Sequence, residues 1–153
     1  MDRRYGVAML RRLFILPAVF GSFPAWFASA TGEARLVIHI EGLRSDKGVV
    51  DIALFNKPDG FLDSDRRIAG GKVKITGSTA VIEVPDLEPG QYTAAFYHDE
   101  NANGDFDQGV LGIPLEGYGF TNNARALLSA PAFKDAAFTV QPGLNETRAK
   151  INY

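Results

Sequence analysis

The sequence predicts an all-β protein, an antiparallel Greek-key β-sandwich of about seven strands with one long ordered loop. Three observations carry this. Seven short segments show the apolar–polar alternation or the short apolar run of a buried strand. Turn residues punctuate them, and the 153-residue chain holds 16 glycines and 8 prolines. No heptad, internal repeat or low-complexity tract competes with that reading. The length suits one domain with an extra segment, and 46% apolar with 22% charged residues suits a packed core.

The extra segment comes first. Arg3, Arg4, Arg11 and Arg12 precede an apolar run over residues 13–27, and Ala28, Ser29 and Ala30 put small residues where a signal peptidase reads. The run is about 15 residues, short of the roughly 20 that a spanning helix needs. Pro17, Gly21 and Pro24 also disfavour a regular helix. Residues 1–30 are therefore expected to be a cleavable signal peptide and residues 31–153 the sandwich domain. The expected location is periplasmic or extracellular, with no stable membrane span after cleavage. Four arginines and one aspartate leave with the leader, so the net charge moves from -2 to -5. A mildly acidic chain with no basic aromatic stripe and no glycine-rich phosphate loop predicts no nucleic-acid partner. The absence of cysteine excludes disulfides, thiol catalysis and thiolate metal sites.

The strands follow in order. Residues 34–42, ARLVIHIEG, set Leu36, Ile38 and Ile40 against Val37, His39 and Glu41. Residues 48–56, GVVDIALFN, set Val50, Ile52 and Leu54 against Asp51. A longer excursion, KPDGFLDSDRRIAGG, opens on turn chemistry at Pro58, Asp59 and Gly60, and Phe61 with Leu62 is expected to cap an end of the core. KVKIT and TAVIEV flank a turn at Gly77 and Ser78. After the turn at Pro89 and Gly90, Tyr92, Ala94 and Phe96 alternate with Thr93, Ala95 and Tyr97; both faces are apolar, which predicts a central strand. Strand signals then stop from Asp99 to about Ala132, and AAFTV and ETRAKINY close the set with Ala149 and Ile151 inward. The expected core is Leu36, Ile38, Ile40, Val50, Ile52, Leu54, Val73, Ile75, Ile82, Val84, Tyr92, Phe96, Phe138, Val140 and Ile151. Loops of some thirty residues tend to be functional or disordered. This one is rich in glycine, asparagine and aromatics, which predicts order.

Its first part, HDENANGDFDQG at residues 98–109, has the donor pattern of a hard-cation site. Calcium takes six to eight oxygens, and a short loop supplies several when alternate residues turn inward around a glycine at the sixth place. Counting from Asp99, the loop has Asn101 and Asn103 at places three and five, Gly104 at six, Asp105 at seven for a backbone carbonyl and Asp107 at nine. Place twelve is Val110 where the pattern wants a bidentate glutamate, so Glu116 is the candidate to close the shell. Missing that built-in ligand predicts affinity of about 0.1–1 mM, the range of extracellular modules. Magnesium rarely accepts an all-protein shell, and zinc lacks ligands with only His39 and His98 present. The competing reading is a solvated hairpin tip, whose Asn and Asp side chains bond their own backbone. Ligand number and the glycine position favour calcium.

The run HDENANGDFD followed by LGIPLEGYGFTNNA, with VPDLEPGQYTAAFYHD before it, resembles an exported bacterial family, domain of unknown function 2141. The resemblance spans about Leu36 to the C-terminus. It implies export and a compact β-rich domain, and it brings no activity or catalytic residue. The L-x-P-G-x-Y pattern at residues 87–92 is loosely similar to transthyretin-like and carboxypeptidase-regulatory-like sandwiches, which speaks to fold alone.

The second part of the loop places Tyr118 and Phe120 two apart, with Asn122 and Asn123 beyond. They read either as an aromatic ligand surface with amide donors, or as plugs of the sandwich end with amides bonding backbone. No G-x-S-x-G elbow and no H-E-x-x-H is present. The leading expectation is an exported cell-envelope module, non-catalytic and calcium-stabilised, that binds a polysaccharide, peptide or protein. A purely structural secreted domain comes next, and a small hydrolase using Glu116 and His98 last.

Overall fold

A computed structural model describes residues 32–125 and 129–153. The expected signal peptide, residues 1–30, lies outside the described residues. Two β-sheets face each other with almost no helix between or around them. Among the described residues nine strands appear: β1 (Ala34–Glu41), β2 (Val49–Phe55), β3 (Ala69–Val73), β4 (Ile75–Thr76), β5 (Thr79–Leu87), β6 (Gly90–Asp99), β7 (Tyr118–Phe120), β8 (Phe138–Val140) and β9 (Gly143–Lys150). One sheet runs β4-β5-β1-β9. The other runs β3-β2-β6-β7, with β8 pairing the start of β6.

The strand count exceeds expectation for two reasons. The chain over residues 69–76 serves both sheets: β3 pairs β2, and after Lys74 β4 pairs β5. The three-residue β7 is too short to show a period and is a strand because β6 offers it an edge.

Antiparallel pairing fails at one place. β9 lies parallel to β1 along its whole length, from Ala34↔Gly143 to Glu41↔Lys150. Pairing direction is set by how the chain arrives. β8 belongs to the opposite sheet, and only Gln141 and Pro142 separate it from β9, so the chain crosses between sheets and enters β9 in the sense of β1.

The inner faces follow the alternation. Leu36, Ile38 and Ile40 of β1, Val50, Ile52 and Leu54 of β2, and Tyr92, Ala94 and Phe96 of β6 are buried together with Val140, Ala149 and Ile151. Val73, Ile75, Ile82 and Phe138 pack on them half-buried. Each buried aliphatic side chain contributes about 1.5–3 kcal/mol relative to exposure. Among the described residues no helix is long and apolar enough to cross a membrane.

The outer face of the β3-β2-β6-β7 sheet is also covered, which explains why β6 is apolar on both sides. Seven rings touch in sequence across it. Phe61 meets Phe55 at 5.4 Å, Phe133 at 5.8 Å and Phe120 at 6.3 Å between centroids. Phe120 continues to Tyr118 at 6.2 Å, Tyr118 to Phe106 at 5.9 Å, and Phe106 to Tyr97 at 5.4 Å. Phe61 therefore belongs to this outer layer and does not cap the inner core, while Leu62 is exposed. Thr93 and Thr121 seal the layer's base: Thr93 Oγ1 donates to Phe133 O, and Thr121 Oγ1 accepts from Ala94 N while donating to Ala136 O.

Candidate metal loop and aromatic pocket

β6 ends by delivering Asp99 into the interior, where its side chain is fully buried. One carboxylate oxygen accepts from Asn103 N at 3.0 Å and the other from Gly104 N at 2.9 Å. Lys72 Nζ approaches the second oxygen at 3.4 Å. The carboxylate thus organises the loop as an anion organises a nest of backbone N–H groups. Gly104 has φ +89, in the left-handed region that a glycine enters without strain.

Three more donors converge beside it. Asn101 Oδ1 accepts from Asn103 N at 2.9 Å, and Asn103 Oδ1 accepts from Asp105 N at 2.9 Å. Asn101 Nδ2 donates to Asp107 Oδ2 at 2.7 Å, and Asn103 Nδ2 reaches both Asp107 oxygens at 3.3 Å. The two NH2 groups thus both face the Asp107 carboxylate. The Asp105 side chain is exposed, consistent with a residue that offers its carbonyl rather than its carboxylate. Among the described residues no three or more His, Cys, Asp or Glu side chains group to hold a metal. A cation at this loop would have to rely largely on amide and carbonyl oxygens, donors that calcium accepts and zinc does not favour. Each Asn oxygen keeps a second lone pair after accepting one N–H, so the donor set fits a hard cation.

Glu116 is buried, yet its two oxygens are spent on the loop's ends: Oε1 accepts from Glu100 N at 3.1 Å and Oε2 from Asp107 N at 3.2 Å. It clasps the loop rather than facing its centre. His98 is buried with both ring nitrogens engaged, Nε2 against Lys47 O at 2.7 Å and Nδ1 against Tyr153 Oη at 2.6 Å. Tyr153 lies so close over Gly117 that a Cβ there would run into its ring. Arg44 sits 4.3 Å above the same ring and pairs through its guanidinium with Glu100. That hydrogen bond, supported by Ser45, holds the Glu100 carboxyl down at about 2.

Beyond Asp107 the loop turns back over the outer sheet face. Gln108 bridges to Pro114, and Gly109 N donates to Ile113 O at 2.8 Å. The resulting flap and the aromatic layer bound a cavity of about 820 Å³. Its floor is Ala53 of β2 and Ala95 of β6, directly paired. Tyr97, Phe106, Tyr118 and Phe120 form one side, and Leu62, Leu111 and Ile113 form the lips. Leu62 and Leu111 both have positive φ, 72 and 64, which costs a side chain of that size about 1–2 kcal/mol each. Strain of this kind clusters at functional sites. Burial, followed by the charges of Asp51, Asp99, Glu116 and Asp105, pushes the Tyr97 phenol up to about 12, and its hydroxyl donates to Gly104 O at 3.0 Å.

The profile of the bacterial family described as "Uncharacterized protein conserved in bacteria (DUF2141)" matches residues 38–148. The chain belongs to this family. No curated protein and no solved structure matches the chain. The matched DUF2141 region holds the acidic loop, the flap and all seven aromatic rings.

Within this DUF2141 domain the expected site residues separate into two groups. Asp99, Asn101, Asn103 and Asp107 come together, with Glu116 behind them. Tyr118 and Phe120 line the pocket from the outer sheet face, since they pair Tyr97 and Ala95, whose side chains point outward. The Asn122 and Asn123 amides do not face the pocket's interior; they bond Ala137 O and Lys150 N. Phe106, Asp51 and the leucine lips escaped sequence reasoning. A lone phenylalanine between two aspartates was the available signal, because an acidic loop exposed on all sides has no use for one.

Proposed function

We propose that this protein is an exported, non-catalytic binding module of the bacterial cell envelope, whose acidic loop is held by calcium and forms one wall of its ligand pocket. The observation that supports this is continuity. The segment bearing Asp99, Asn101, Asn103 and Asp107 runs directly into Phe106, Gln108, Leu111 and Ile113 of the pocket wall. Calcium at the loop would draw on Asp99, Asp107 and the two Asn oxygens, with the Asp105 carbonyl. The Asn oxygens would offer their second lone pairs while keeping the backbone N–H groups they accept, and Glu116 would brace the loop from outside the shell. Ordering that loop fixes the wall. The pocket volume falls in the range of small-molecule sites, roughly 300–1,000 Å³. It suits a small ligand or one unit of an envelope polymer or peptide.

A hydrolase built on Glu116 and His98 gains no support, because both are buried, bonded and away from the pocket lining. The test is thermal unfolding of the purified protein in calcium and in chelator, with NMR of the Phe106 and Leu111 signals. Calcium should raise the melting temperature and shift both signals. Identical melting curves would remove calcium from the proposal. A raised melting temperature with pocket signals unmoved would leave a purely structural site.

A further inference from the structure

The pocket's chemistry is lopsided. Its walls are mainly aromatic and aliphatic, and among the described residues the one acidic or basic side chain lining it is that of Asp51. Asp51 lies across from Tyr97 in register, and its side chain is half-buried. The nearest cation, Arg67, reaches it at only 3.8 Å, the outer limit of an ion pair. Lys72, on the neighbouring strand, is turned to Asp99. The rings of Tyr97, Phe106 and Tyr118 stand tilted to one another by 55° and 66°, so they form a corner rather than a stack. Ring faces carry negative potential and attract cations. A polyhydroxy ligand would meet Gln108, Ser129 and the Tyr118 hydroxyl, but it would leave the Asp51 charge unmatched, and the Tyr97 hydroxyl already donates to Gly104 O. An anion meets Asp51.

We propose that the pocket binds an organic cation, an ammonium group with apolar substituents set between the Asp51 carboxylate and the rings of Tyr97, Phe106 and Tyr118. The aliphatic lips at Leu62 and Leu111 cover its apolar body. This rests on the binding-module reading and names the ligand class. Arg67 competes for Asp51 and therefore weakens the site.

The test is calorimetric titration of the purified protein with benzyltrimethylammonium and, by ligand-observed NMR, with its uncharged carbon counterpart neopentylbenzene. The cation is expected to bind about tenfold more tightly than the neutral molecule, the ratio that a partly desolvated cation–π and ion-pair contact supplies. Asp51→Asn should weaken the cation about tenfold and leave the neutral molecule unchanged. Arg67→Gln should strengthen cation binding, an effect in the opposite direction to damage by misfolding. Equal binding of both molecules would overturn the cation assignment while the pocket reading stood. Binding of neither would overturn both. A second arm separates sources. Cosedimentation with phosphatidylcholine vesicles and not with phosphatidylglycerol vesicles, lost in Asp51→Asn, assigns the ammonium to a lipid headgroup. Titration without cosedimentation assigns it to a soluble amine.

Discussion

Asp99 should carry both the fold of its loop and any response to calcium, and the two roles separate by substitution. In Asp99→Asn the side-chain volume is kept, but an NH2 group replaces one oxygen. That group faces either Asn103 N or Gly104 N, donor against donor, where the carboxylate accepted at 3.0 and 2.9 Å. One buried N–H left without a partner costs about 1–3 kcal/mol. Asp99→Ala strands Gly104 N, while Asn103 N keeps Asn101 Oδ1 at 2.9 Å, and should cost about 1–3 kcal/mol. For a domain of this size each kcal/mol lowers the melting temperature by about 4 °C. The melting temperature followed by circular dichroism in chelator should therefore fall by about 4–12 °C for Ala, and by less for Asn, whose remaining oxygen can keep Gly104 N. In calcium at about 100 times its dissociation constant the unmodified protein should gain roughly 2.7 kcal/mol, about 10 °C, and neither variant should gain. Asp99→Ala melting like the unmodified protein in chelator would refute the anchoring role. An equal calcium gain in all three proteins would refute ligation by Asp99.

Glu116→Gln should lower the melting temperature by about 4–12 °C, since one of the N–H groups of Glu100 and Asp107 loses its acceptor; an unchanged value would deny the clasp. Glu100, held at about 2 against an ordinary 4.5 chiefly by its hydrogen bond from Arg44, contributes stability that is complete above pH 4.5 and lost as pH falls toward 2. Arg44→Gln should flatten that part of the stability–pH curve measured by urea unfolding, and parallel curves would contradict the assignment. Phe120→Ala should cost about 3–5 kcal/mol by opening the seven-ring layer; a loss under 1 kcal/mol by urea unfolding would mean the outer layer is not a second core. Mass spectrometry of the exported protein should find a chain beginning at Thr31, and a retained leader would contradict cleavage after Ala30.

The local pattern of residues determined much by itself. Leu36, Ile38 and Ile40 alternate with Arg35, Val37, His39 and Glu41, and burial of one face of a pleated strand needs no knowledge of its partner. The same holds for Val50, Ile52 and Leu54, for Tyr92 and Phe96, and for Ala149 with Ile151. The clustering of Asp99, Asn101, Asn103 and Asp107 was legible for a similar reason: they lie within nine residues of each other, so a single turn around Gly104 brings them together. Tertiary structure decided the rest, because it depends on contacts between distant segments. The parallel course of β9 along β1 follows from a crossover between sheets, which no strand announces. Phe61 meets Phe120 and Phe106 meets Tyr97 only because register turns Tyr97 and Phe120 outward and two excursions fold over them. Glu116 and Glu100 lie near the loop in sequence and could be guessed. That Glu116 is spent on backbone N–H groups, and that the pocket opens over Ala53 and Ala95, follow from the folded backbone, since a carboxylate's partners and a sheet's uncovered floor are fixed by three-dimensional approach and not by spacing along the chain.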